Sequence, residues 1–480
     1  MHYSALLKLC GWEEEQISRE RPRLDQAFGI LGLGPEDMQR AEARVIEGYD
    51  VDLMGVRKAL GVWIGGMVDV VLGKREGKRL VYYSFPPLGG LSGVISVIGK
   101  GEILCVCPEF ILDIALGAIF DRIDPILEAG EEKALPPGRA LCGLNKIRIG
   151  AVTQGIIPVP DLLLASSFYC DQGGQTDEWL REVYGIPWVV MDNVMDSPWG
   201  EFPSLNPERI AYLAAEMENG WIEAAEILGY QPNKEHWAAY YDLYSKFNQG
   251  IAKCNRSMKA DPPPVSQSNL QVVRFLRNGI SYNRFPEALK AIETLVPELE
   301  ARVNKGIGPL PKGSPRVCSF LIPQRDQSIA HLFEKAGIAI PVTFLSYDAY
   351  TASLDSSYTS LAERNAQVEL KRGLYHGTSA VLHWTKKAVE DFGLDGILWT
   401  QPIHCRPMSG TGYFFKKAIE EELKIPVLSL EVDWYDNRVF SGESMRTKIE
   451  TFGHLLAARK AKRSLLQQQK AIGVEVKLTP

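Results

Sequence analysis

Several things are scarce or missing in these 480 residues, and each absence excludes a class of protein. No apolar run reaches the roughly 18–20 residues that a bilayer-spanning helix needs. No basic block is present and the net charge is −6, which argues against a nucleic-acid partner. The opening MHYSALLKLCGWEEEQ lacks a basic stretch leading into a long apolar core, so it does not read as a secretory signal. No Cys-x-x-Cys pair occurs, which removes zinc-ribbon and ferredoxin spacings. No phosphate-binding loop of the G-x-x-x-x-G-K-[ST] type occurs either, so no nucleotide is expected on this chain. The eight cysteines are scattered, as reduced thiols in a cytoplasmic protein would be.

What is present organises itself around residues 396–438, GILWTQPIHCRPMSGTGYFFKKAIEEELKIPVLSLEVDWYDNR. A short apolar run from Gly396 to Trp399 has the length of a buried strand. Past Cys405 come Pro407, Met408, Ser409, Gly410, Thr411 and Gly412, then a helical pattern to Leu423 and a second strand from Ile425 to Leu430. This is a βαβ unit with Cys405 just past the carboxyl end of its first strand, where open α/β sheets bind ligands.

A second unit has the same design. Asp161 to Ala165 reads as a strand running into Ser166-Ser167-Phe168-Tyr169-Cys170, Gly173-Gly174 precede a helix, and Ile186 to Met191 form the next strand. Cys142 stands at the start of another predicted helix, where a thiolate is stabilised by the free N–H groups. The fold class is therefore α/β, with two Rossmann-like parallel-sheet domains, an N-terminal helical extension and a helical connecting region. The boundaries fall at 1–78 for the extension, 79–205 for the first α/β domain, 206–312 for the helical region and 313–480 for the second α/β domain with its C-terminal helix.

The remaining features are plainer. The stretch 80–100 is rich in Gly and Pro, so strand and turn are expected there rather than one helix. Its Gly89-Gly90-Leu91-Ser92-Gly93 run reads as a turn rather than a phosphate cradle. Cys105 and Cys107 lie two apart on a predicted strand and share a face, a spacing open to a soft metal, although packing is the reading adopted. Glu109 opens a helix predicted over FILDIALGAIFDRI, where the macrodipole favours a carboxylate. Cys10, Cys254 and Cys318 read as packing residues. Asp261-Pro262-Pro263-Pro264 reads as a joint between helices.

Three loop cysteines at the rims of parallel sheets can hold a cubane iron–sulfur cluster and leave one iron for a non-protein ligand. A structural zinc on the same cysteines with His404 is the alternative, disfavoured because adjacent residues such as His404 and Cys405 rarely reach one ion.

The segments ALCGLNKIRIGAV, PVPDLLLASSFYCDQ and DGILWTQPIHCRPMSG, with the tail IPVLSLEVDWYDNR…SMRTKIETF, resemble the 2-hydroxyacyl-CoA dehydratase and benzoyl-CoA reductase family, specifically its larger, substrate-binding type of subunit. The likeness runs over roughly residues 100 to 455. It implies a [4Fe-4S] cluster on Cys142, Cys170 and Cys405 with one iron not ligated by cysteine. It also implies a homologous second iron–sulfur subunit and a separate ATP-hydrolysing activator that injects a low-potential electron. The implied reaction is ketyl-radical elimination of water from a 2-hydroxyacyl-CoA. Alternatives are reduction of an aromatic acyl-CoA, or a double-cubane reductase with no CoA substrate. The Cys107-Pro108-Glu109 segment resembles a Pro-x-Glu-type stretch of the family and would set Glu109, as a catalytic group, near the open iron. The Cys-x-Cys before it departs from the serine-containing stretch of the dehydratases. Lys146, Arg148, Arg406 and Ser409 are the candidate contacts for the substrate's CoA moiety.

Overall fold

The computed structural model describes residues 2–83, 91–99, 101–134, 141–166, 170–192, 202–231, 233–320, 327–347, 354–371, 378–439 and 441–471. Two four-stranded parallel sheets, built to one plan, carry the site. The first contains β1 (Arg79–Tyr83), β2 (Ile103–Val106), β3 (Leu162–Ser166) and β4 (Trp188–Met191), in the spatial order β2-β1-β3-β4. The second contains β5 (Arg316–Ser319), β6 (Ala339–Thr343), β7 (Gly396–Pro402) and β8 (Val427–Val432), in the order β6-β5-β7-β8. All described pairings are parallel. The α/β reading with two Rossmann-like sheets is thus what the chain adopts.

The strands form where the sequence is apolar without alternation, as parallel strands covered on both faces must be. Leu162 to Ser166 is buried at every position, and Gly396 to Pro402 at all but Gln401. In each sheet the chain steps first to one side and then to the other, so the order reverses between the first and third strands. That reversal opens a crevice at the carboxyl ends, the usual ligand position of such sheets. Cys170 follows β3 and Cys405 follows β7, the equivalent strand of each sheet.

Four helices precede the first sheet: Ser4–Leu9, Glu14–Ile30, Pro35–Gly48 and Met54–Leu72. The last of them is almost wholly buried, and one continuous hydrophobic core runs from Tyr3 to Leu456. Asp69 on that helix accepts from Arg284 Nε and Nη2 at 2.7 and 2.8 Å and from Arg23 Nη2 at 2.7 Å, tying the N-terminal helices to the connecting region. That connecting region is helical, with Pro207–Ile227, Lys234–Ser257 and Phe285–Lys305 its longest members. The proline run at 262–264 separates two helices, Lys234–Ser257 and Gln267–Arg274.

Two local expectations are corrected. The strand expected in the stretch from Leu80 is there, as β1, but Leu91–Ile98 form a helix: this helix lies against Lys234–Ser257 with Val94 to Ile98 buried, and that burial outweighs the Gly content. Gly89 and Gly90 lie outside the described residues. The helix expected after Glu109 is α-helical only over Pro108–Leu112 and continues as a π-helix, Asp113–Ile119, buried at every residue. The N-terminal helices Pro35–Gly48 and Met54–Leu72 pack against this wider turn.

Candidate functional site

Each of the three loop cysteines occupies the same local position, an extended residue immediately before a helix. Cys142 precedes Gly143–Thr153, Cys170 precedes Asp171–Tyr184 and Cys405 precedes Arg406–Leu423. Three helix N-termini, from both sheets' units, therefore bring their positive ends towards one region. Each thiol is partly buried, and burial is the main force on its ionisation. Cys142 is driven well above the ordinary thiol range by burial, with the neighbouring Cys170, Asp433 and Cys405 adding to the shift and Asn145 opposing it. Cys405 is pushed up to about 12, again by burial first, with Met408 N–H opposing and Cys170 and Asp433 adding. Cys170 is raised by burial against the N–H groups of Gly173 and Gln172. Cys170 thus adds to the shift at both Cys142 and Cys405.

Two buried side chains join the three loops. Gln172, two residues past Cys170, accepts from the Cys142 N–H at 3.1 Å and from Asn145 Nδ2 at 3.4 Å. Its Nε2 donates to the His404 carbonyl at 2.8 Å. Asp433, just past β8, accepts from Gly143 N–H at 3.1 Å and from Tyr435 N–H at 3.0 Å, and its Oδ2 lies 3.2 Å from His404 Nδ1. Asn145 Nδ2 also reaches Cys142 Sγ at 3.2 Å. Gly143 is required here: a Cβ on it would stand 2.6 Å from the carbonyl carbon of Tyr435, so the two halves meet backbone to backbone beside Cys142.

The other residues singled out from the sequence are placed as follows. Glu109 is 3% exposed and grips Arg148 with both oxygens, Oε2 to Nε at 3.0 Å and Oε1 to Nη2 at 2.6 Å. Arg148 also donates to Asp177 and to the Tyr83 carbonyl. Burial works against its charge, but Asp177 and Glu109 more than offset that and hold it protonated. Lys146 is buried with Glu131 at 2.7 Å and Asp436 at 3.0 Å. Neither cation stands at a rim. Arg406 does: it is half-exposed and pairs with Asp171, the first residue of the Cys170 helix. Ser409 Oγ donates to the Pro402 carbonyl at 2.7 Å, tying the Cys405 helix to the end of β7. Cys10, Cys105, Cys107, Cys254 and Cys318 are all buried. Gln172, Asp433 and Asn145 escape a reading of the sequence; their only signal is position, beside Cys170, past a strand end and three residues after Cys142.

The Lys146 site makes a prediction about acid stability. Burial alone would raise Asp436, yet Arg438 and Lys146 hold it well below the usual carboxylate range. A carboxylate depressed in the folded state contributes stability that is fully present above its unfolded pKa of about 3.9 and is lost as pH falls below it. Lys146, raised by Glu131 and Asp436 against burial, works in the other direction and loses its contribution only above about pH 10. Asp436→Asn is therefore expected to lower the urea midpoint at pH 7 and to reduce its fall between about pH 5 and pH 3. An unchanged acid limb in the variant would count against the assignment.

Among the described residues, no three His, Cys, Asp or Glu side chains come together tightly enough to hold a single metal ion. The His404 ring faces Asp433, with Nδ1 3.2 Å from its Oδ2. A multi-iron cluster takes its thiolates on separate irons and needs a wider set. Three soft sulfurs on three loops, each at a helix start and each unable to ionise readily alone, suit such a donor set, because bound metal deprotonates a coordinating thiol. No helix among the described residues is long and apolar enough to cross a membrane.

Comparison with known proteins gives the family. The family described as 2-hydroxyglutaryl-CoA dehydratase, D-component, matches residues 74–456. The chain is 22% identical over 348 residues to the alpha subunit of (R)-2-hydroxyglutaryl-CoA dehydratase from Acidaminococcus fermentans, covering 70% of this chain and 67% of that one. It is 21% identical over 329 residues to the (R)-phenyllactyl-CoA dehydratase alpha subunit of Clostridium sporogenes, covering 67% and 78%. It is 22% identical over 325 residues to the lactoyl-CoA dehydratase subunit alpha of Anaerotignum propionicum, covering 64% and 71%. The chain belongs to the 2-hydroxyacyl-CoA dehydratase and benzoyl-CoA reductase family, and within it to the alpha-subunit type.

Proposed function

We propose that this chain is the iron–sulfur alpha-type subunit of a radical 2-hydroxyacyl-CoA dehydratase, with a [4Fe-4S] cluster on Cys142, Cys170 and Cys405. The observation that carries the reading is the meeting of three cysteine-led helix N-termini, joined through Gln172 and Asp433. When bound, such a cluster supplies low-potential electron transfer and, at its iron without a thiolate, a Lewis acid for a thioester oxygen.

The chain's own residues do the rest. The helix ends favour charge at the sulfurs, and Asn145 donates towards Cys142. Arg406, the exposed cation beside Cys405, is the residue to meet a phosphate of CoA. It would exchange Asp171 for the phosphate, while Ser409 holds the helix start on β7. Lys146 and Arg148 have structural roles in this reading, because their charges are already paired in the interior. The dehydratase is preferred to an aromatic-ring reductase because the relatives named above are 2-hydroxyacyl-CoA dehydratases. A homologous second subunit and an ATP-hydrolysing activator complete the proposal, since the sequence contains no phosphate-binding loop of its own.

The test uses the anaerobically reduced complex and electron paramagnetic resonance. Addition of a 2-hydroxyacyl-CoA is expected to change the cluster signal, and the free hydroxy acid to leave it unchanged. An enoyl-CoA product identifies a dehydratase; a cyclic diene formed from an aromatic acyl-CoA would instead identify a reductase. Identical spectra with every thioester of a panel of both kinds would remove the CoA reading.

A further inference from the structure

We infer that Gln172 is the positioning residue of this site, one amide that holds all three cysteine loops in register. The inference rests on the cluster reading for its consequence, but its geometry stands independently. Gln172 is 2% exposed and lies two residues past Cys170 on the first turn of that helix. Its oxygen takes the Cys142 N–H and the Asn145 amide; its nitrogen gives to the carbonyl of His404, next to Cys405. The partners lie 30, 27 and 232 residues away in sequence, so one side chain ties two loops of the first half to one of the second.

The chemistry requires glutamine. Two donors face one end of the group and a carbonyl faces the other, so both an acceptor and a donor are needed on one planar head. That pattern also fixes which end is oxygen. A glutamate could accept from Cys142 and Asn145 but would turn an oxygen towards the His404 carbonyl. A methionine would fill the space and make none of the three bonds. Asparagine is one methylene too short to span the loops. Holding Asn145 has a second effect, because that amide also points at Cys142 Sγ at 3.2 Å. Hydrogen bonds to ligand sulfurs set the potential of a cluster, and outer residues that orient ligands typically change metal affinity by about 10–100-fold.

The experiment compares wild type with Gln172→Met and Gln172→Glu as full chains, in two arms. In the metal-free folded protein, alkylation by iodoacetamide is followed at each cysteine by mass spectrometry. Labelling of Cys142 and Cys405 is expected to accelerate in both variants, while buried Cys254 and Cys318 stay slow. In the anaerobic cluster-loaded protein, iron is expected to pass to a chelator about 10–100-fold more readily, with a changed electron paramagnetic resonance signal. The glutamate variant is expected to lower the midpoint potential, since it adds negative charge beside the sulfurs. Unchanged labelling and unchanged iron retention in Gln172→Met, with a wild-type circular dichroism spectrum, would overturn the inference. Should methionine prevent folding, Gln172→Glu, which keeps shape and polarity, decides by the same two readouts. If wild-type protein binds no iron, it is the cluster reading that fails, and the labelling arm still decides the role of Gln172.

Discussion

Cys405→Ser is expected to lose the cluster and with it all measurable turnover, while Cys10→Ser, Cys254→Ser and Cys318→Ser keep both. Wild-type protein prepared without air should carry about four irons per chain, the content of one cubane. On the proposed ligand set, serine in place of any of Cys142, Cys170 or Cys405 removes one of only three thiolates. With a fourth iron lacking a cysteine in that proposal, the remaining two ligands would hold the group poorly. The control cysteines differ in surroundings rather than in chemistry. Cys10, Cys254 and Cys318 sit inside the apolar core, and burial raises all three thiols. A hydroxyl there costs about 1–3 kcal/mol if it finds no partner, so those variants lose some stability but not iron. Iron and acid-labile sulfide assays, with absorbance near the visible charge-transfer bands, separate the two groups. Full iron content in Cys405→Ser would remove this cysteine from the ligand set.

The places of these cysteines in the strand–helix pattern could be read before any coordinates, and the reason is local. A strand such as Leu162–Ser166 declares itself by an unbroken apolar run, and Cys170, four residues on, is placed by that strand and the helix it precedes. The same holds for Cys405 after Gly396–Pro402 and for Cys142 at a helix start. What could not be read was long-range. Lys146 and Arg148 look like rim charges in GLNKIRIGAV, yet every residue from Gly143 to Val152 is buried. Their counter-charges come from Glu109 and Asp177 for Arg148, 39 and 29 positions away, and from Glu131 and Asp436 for Lys146, 15 and 290 positions away. No periodicity marks a helix that is covered all round, and no spacing announces which acids will meet it. Leu91–Ile98 failed for a related reason, because Gly and Pro nearby suggested turns where packing imposed a helix. The first 73 residues precede the family match but contribute Tyr3, Trp63 and Leu72 to the same core.

Arg148→Met is expected to destabilise the folded chain by about 3–5 kcal/mol, the cost of leaving buried carboxylates without their cation. Arg148 bonds to Glu109 on the helix that follows β2, to Asp177 on the Cys170 helix and to the Tyr83 carbonyl at the end of β1, while itself standing on the Cys142 helix. One guanidinium therefore fastens two of the three cysteine helices to the first sheet. Lysine is a poor substitute, because a single ammonium cannot make the two parallel bonds to Glu109 or supply donors in a planar fork. Arg148→Lys should recover only part of the loss. The combination Arg148→Met, Glu109→Gln and Asp177→Asn should be more stable than Arg148→Met alone, since it removes the stranded charges along with their partner. Urea unfolding of the four proteins measures all of this. An Arg148→Met variant within about 1 kcal/mol of wild type would mean that water or rearrangement satisfies both carboxylates, and that the helices are held by packing instead. If the prediction holds, Glu109 already has a structural partner, and any catalytic part it plays must begin with its release from Arg148.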